Sequence, residues 1–109
     1  MKDDKLYLGH ILECINNIED YTNGGRDEFL KSTLIQDAVI RNLEVIGEAT
    51  KSISKLTRDN NIEIPWKVMA GLRDILIHNY FGVDIKIVWN VVDNELTKIK
   101  YGLEKLLEK

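Results

Sequence analysis

The sequence predicts an all-α fold, an antiparallel bundle of four to five helices. Three observations carry the prediction: apolar residues recur at helical spacing along four long stretches, the joins between them are short, and no alternating stretch is bounded by hairpin turns. A chain of 109 residues supports one hydrophobic core, so residues 1–109 read as a single domain. With 44% apolar and 30% charged residues, it has the balance of a globular protein.

The first helix is expected from about Asp4 to Tyr21, because Leu8, Ile11, Leu12, Ile15 and Ile18 follow the spacing of an amphipathic stripe. Asp3 or Asp4 would cap it. His10 falls off the stripe and reads as a solvated surface residue, and Cys14 falls on the helical pattern as an inert buried thiol. Thr22-Asn23-Gly24-Gly25 breaks the pattern as a tight connection, and Asp27 to Lys31 is expected to form one short turn of helix.

The next long helix is expected from about Ser32 to Ser54, with Ile35, Ala38, Val39, Leu43, Ile46, Ala49 and Ile53 buried. Gly47 costs about 1 kcal/mol relative to Ala in mid-helix, a cost offset where another helix approaches closely. Arg41, Glu44 and Glu48 share one face. They read either as surface ion pairing or, at Arg41, as a contact to a phosphate or to a partner subunit.

Lys55 to Ile64 reads as the one substantial loop, after which Pro65 suits the first turn of a third helix. Trp66, Met69, Ala70, Leu72 and Leu76 give that helix a buried side, and Gly82 would end it. Asp84 would cap the last helix. Its seam runs through Ile85, Val88, Trp89, Val92, Leu96, Ile99, Leu103 and Leu106.

Several function classes are excluded or disfavoured by composition. No apolar run approaches the roughly 20 residues of a membrane span, and the start of the chain lacks a signal peptide's apolar stretch, so a cytoplasmic protein without membrane partners is expected. A single cysteine rules out an internal disulfide and any cysteine-built zinc site within one chain. The net charge of −3 speaks against a broad nucleic-acid-coating surface, although Arg73, Arg41 and Lys67 could gather local positive charge. No metal site, cofactor loop or nucleophile with an attendant base is evident.

Chemistry concentrates in Gly71-Leu72-Arg73-Asp74-Ile75-Leu76-Ile77-His78-Asn79-Tyr80-Phe81-Gly82, where Arg, Asp, His, Asn and Tyr interrupt an apolar helical segment. Asp74 and His78 fall on one helical stripe, with Arg73 and Tyr80 on another beside it. Taken alone, the spacing favours the plainer reading, in which Arg73 and Asp74 are an ion arrangement on a helix surface and His78 and Tyr80 are ordinary helix-end residues.

The spacing Arg73-x4-His78-x-Tyr80 resembles the signature of HEPN domains, specifically the HepT-like toxins that pair with small nucleotidyltransferase antitoxins. Pro65-Trp66, Gly71-Leu72-Arg73, Tyr80-Phe81-Gly82, Trp89 and the block Asp37 to Ala49 look like the same family. One departure is Asp74, where the family often has Asn. The resemblance implies a HEPN-like bundle, a homodimer with a composite cleft, and metal-independent RNA cleavage in a type VII-like toxin–antitoxin pair. It implies catalytic roles for Arg73 and His78, supporting roles for Asp74 and Asn79, and AMP modification of Tyr80 by the antitoxin. His and Arg suit such chemistry, because imidazole titrates near neutrality and guanidinium forks onto phosphate. A noncatalytic helical module that only docks on a nucleotidyltransferase remains the alternative.

Overall fold

The computed structural model describes residues 2–77 and 84–108, with the side chains of all but residues 2, 73 and 75–77. Among the described residues there are seven helices and no strand: α1 (Lys2–Tyr21), α2 (Arg26–Lys31), α3 (Thr33–Lys51), α4 (Lys55–Asn60), α5 (Trp66–Ile77), α6 (Ile85–Asn94) and α7 (Leu96–Glu108). Five are long and two have six residues, so the bundle expected from the sequence is present.

Helix α3 is the central element, packed between α1 and α5, while α7 lies along α1, and α6 joins α7 to α2. Cross-helix contacts fix the directions. Asn17 on α1 donates to Asn42 on α3, and Asp4 near the start of α1 meets Ser54 just beyond the end of α3, so the two helices run antiparallel. Helix α7 also runs against α1, with Lys100 2.7 Å from Glu19 in an ion pair near the far end of α1.

One apolar cluster fills the interior. Ile11, Ile15 and Ile18 from α1, Val39, Leu43 and Ile46 from α3, Met69 and Leu72 from α5, and Ile99 and Leu103 from α7 are all buried. Phe29 on α2 is fully buried against Trp89 on α6, with ring centroids 5.3 Å apart and tilted by 40°, a geometry that aromatic quadrupoles favour. Cys14 is buried beneath this surface, and burial followed by the neighbouring Glu13 pushes its thiol pKa up, as an inert thiol requires.

Helix ends follow local chemistry. Ser32 caps α3 by accepting the Ile35 N–H at 3.1 Å, and Asp84 caps α6 by accepting the Lys86 N–H at 3.0 Å. Gly25, at φ 90°, takes the left-handed conformation between α1 and α2 that a side chain would disfavour. At Gly102 on α7 a Cβ would come within 2.9 Å of Ile64, so the missing side chain lets α7 approach the α4–α5 turn.

Three expectations change. The loop expected over Lys55–Ile64 contains α4, because Ser54 caps that turn and accepts the Thr57 N–H at 3.2 Å. Neither Asp3 nor Asp4 caps α1; both sit inside the first turn, and Asp4 receives hydrogen bonds from α4 and its cap. The last helix bends at Glu95, yet the Glu95 N–H to Val91 and Ile99 N–H to Glu95 bonds continue across the bend. Its expected seam survives: Val88, Leu96, Ile99 and Leu103 are buried and none of the other seam residues is exposed.

Candidate active site

The candidate site is built on α5. Trp66 anchors its start, buried, with the indole N–H donating to the Asn61 carbonyl at 2.9 Å. Met69 and Leu72 then point into the core, which fixes the rotation of the helix and leaves Lys67, Val68 and Asp74 exposed. Arg73 belongs to α5 by its backbone, while its side chain lies outside the described residues, as do His78, Asn79 and Tyr80.

The turn feeding α5 is held by a carboxylate from the other end of the chain. Asp4 is 5% exposed and accepts from the Ser54 N–H at 2.9 Å, the Ser54 hydroxyl at 2.6 Å and the Thr57 hydroxyl at 2.6 Å. Burial alone pushes a carboxyl pKa up, but here the hydrogen bonds from Ser54 and Thr57 prevail and hold Asp4 below its ordinary value. It therefore stays charged at neutral pH and ties α1 to α4.

Two open grooves flank this framework. One, of about 490 Å³ between α1 and α3, is lined by Tyr7, His10, Arg41, Glu44, Glu48 and their neighbours. Arg41 is 75% exposed there, with its guanidinium 3.9 Å from Glu44. The other, of about 620 Å³, runs between α4 and the start of α5 and is lined by Lys55, Arg58, Asp59, Ile62, Pro65 and Lys67 among others.

Sequence reasoning placed Arg41 and Lys67 as sources of positive charge, and the structure puts them in different grooves. It missed that His10, exposed as expected, borders the Arg41 groove, and that Arg58 belongs with Lys67. The antiparallel register of α1 against α3 was the missing signal for the first, and the helical turn at α4 for the second. Among the described residues no three His, Cys, Asp or Glu side chains group as metal ligands, and no helix is long and apolar enough to cross a membrane.

Residues 11–106 match the family described as Ribonuclease HepT-like, a span that includes α3, α5 and the Arg73-x4-His78-x-Tyr80 motif. The chain belongs to the ribonuclease HepT-like family. It is 48% identical, over 98% of its length, to a Methanocaldococcus jannaschii protein named "Gamma-glutamylcyclotransferase and putative RNase", of which it spans only 49%. It is 43% identical to a "Probable ribonuclease HepT" from Thermococcus cleftensis, covering 96% of each chain. The fold also matches that of a tri-AMPylated Shewanella oneidensis HEPN toxin solved in complex with an MNT antitoxin, with a TM-score of 0.73 and 24% identity over 100% of this chain and 99% of that one. This HepT-like membership accords with the helical architecture and with the motif that the sequence carries on and after α5.

Proposed function

We propose that the protein is a metal-independent endoribonuclease toxin, active as a homodimer and neutralised by an MNT-type nucleotidyltransferase. The observation that carries this reading is the HepT-like match over residues 11–106, which contains the intact Arg73-x4-His78-x-Tyr80 motif. The antitoxin partnership draws on the fold match to the HEPN toxin bound to its MNT antitoxin.

In the proposed reaction a base takes the proton of an RNA 2′-hydroxyl, the 2′-oxygen attacks the adjacent phosphorus, and the P–O5′ bond breaks. An acid returns a proton to the leaving 5′-oxygen, leaving a 2′,3′-cyclic phosphate and a 5′-hydroxyl. His78 serves as acid or base, and Arg73 stabilises the charge that grows on the phosphoryl oxygens. The motif supplies one His per chain, so two facing copies provide both proton-transfer groups. Asp74 and Asn79 support the site by orienting its groups, and Arg41 contacts RNA phosphate or the partner subunit.

Tyr80 is the switch. Its phenol oxygen accepts AMP from ATP, releasing pyrophosphate, and the attached phosphate and nucleoside then block the cleft by charge and by volume. Wild type and Tyr80→Phe should both cleave RNA, but incubation with the cognate nucleotidyltransferase and ATP should silence only wild type. Mass spectrometry should place the AMP on Tyr80, and light scattering at micromolar concentration should report two chains. A silenced, modified Tyr80→Phe protein would refute the switch, and a monomer that still cuts RNA would refute the shared cleft.

A further inference from the structure

The groove between α4 and α5 gathers cations in a chain whose net charge is −3. Lys55, Arg58 and Lys67 line it, and the one carboxylate that lines it among the described residues, Asp59, is already engaged by Lys55 at 2.8 Å. Neither Arg58 nor Lys67 makes an ion pair or a side-chain hydrogen bond among the described residues. Arg58 is half-buried, and its Nε is enclosed with no acceptor. No carboxylate pairs with this guanidinium among the described residues, so its charge is left for an anion that reaches it from the groove.

The groove shares α5 with the motif, with Lys67 and Arg73 about 120° apart around that helix. Lys67 stands on the first turn of α5, and at about 1.5 Å of rise per residue it precedes Arg73 by about 9 Å along the helix axis. Ala70 and Gly71 continue the Lys67 stripe with one methyl group between them, and at Gly71 even an added Cβ would meet nothing within 4 Å. Asp74, exposed, is the next carboxylate on that stripe and marks where a phosphate path along it must turn aside. Exposed Ile62 and half-buried Pro65 give the groove an apolar lip as well.

We infer that this groove is a backbone subsite for single-stranded RNA, in which Arg58 and Lys67 hold phosphates of the substrate outside the bond that is cut. The inference rests on the ribonuclease reading. Phosphate contacts of this kind set register and affinity without reading sequence. Binding here should therefore be insensitive to RNA sequence and sensitive to salt.

The test titrates a labelled single-stranded RNA of mixed sequence into the full chain carrying His78→Ala, so that the probe stays intact, at several salt concentrations. Adding Lys67→Gln or Arg58→Gln should weaken binding and lower the log–log salt slope by about 0.7 for each phosphate that is no longer neutralised. Lys31→Gln on α2 removes the same charge elsewhere and should leave both quantities unchanged. Arg58→Lys keeps the charge, and should retain most of the slope if Arg58→Gln disturbs the fold. If the wild-type chain cleaves RNA while Lys67→Gln binds with unaltered affinity and slope, the subsite is refuted and the ribonuclease reading stands. If the wild-type chain neither binds nor cleaves RNA, both fall together.

Discussion

The two grooves are alike in size and differ in charge. Between α1 and α3, Arg41 and His10 face Glu44 and Glu48, so the cationic side chain sits among carboxylates. Between α4 and α5 the only lining carboxylate among the described residues is paired with Lys55, and among those residues Arg58 and Lys67 have no ion-pair partner. A weakly acidic chain can thus still present local positive charge, because the fold sorts charges that the net value averages. The basic groove borders the helix that carries Arg73, which ties the sorting to the reading of an RNA enzyme.

Asp4 braces the α4 wall of the basic groove from α1. Asp4→Asn weakens three hydrogen bonds to a buried charge and should cost about 1–3 kcal/mol of stability at pH 7, read as a lower urea midpoint. RNA affinity should fall with it at temperatures where α4 loosens. The pKa of Asp4 lies below its ordinary value of 3.8 in the folded chain, so its stabilisation is complete above about pH 4. That contribution is lost as pH falls through the lowered folded value. The difference between wild type and Asp4→Asn should therefore shrink in acid; a constant difference from pH 7 to pH 2 would show that the carboxylate's charge is not what braces the turn.

Arg41→Gln removes an exposed side chain with a long ion pair, and should change stability by no more than about 0.5 kcal/mol. Because Glu44 pairs with Arg41, this substitution should weaken RNA binding less than Lys67→Gln does. The reverse order, measured by titration at one salt concentration, would make the α1–α3 groove the RNA-facing one.

Much of the bundle was legible because burial imposes periodicity. The α1 stripe, the α3 stripe and the long seam from Ile85 to Leu106 are each one face of a helix pressed on the core, and each could be read from spacing. Helix α4 was not, because six mostly polar residues carry no stripe; what makes them helical is the Ser54 cap and a carboxylate that arrives from Asp4. The motif residues Arg73, His78 and Tyr80 were legible by resemblance to a family. The partnership of Arg58 with Lys67 was hidden, since nine positions apart across a helix, a turn and a proline, nothing local marks them as neighbours.

The most direct test incubates purified protein with total RNA in excess chelator, beside His78→Ala at the same concentration and helical content. Wild type should cut RNA without added metal, and the substitution should reduce the rate by about 10²–10⁴-fold, the usual contribution of a proton-transfer group. Equal cleavage by both proteins, or cleavage that disappears in chelator and returns with a divalent metal, would contradict the account. Intact nucleotidyltransferase binding with no cleavage by wild type in any state would leave a docking module in place of an enzyme.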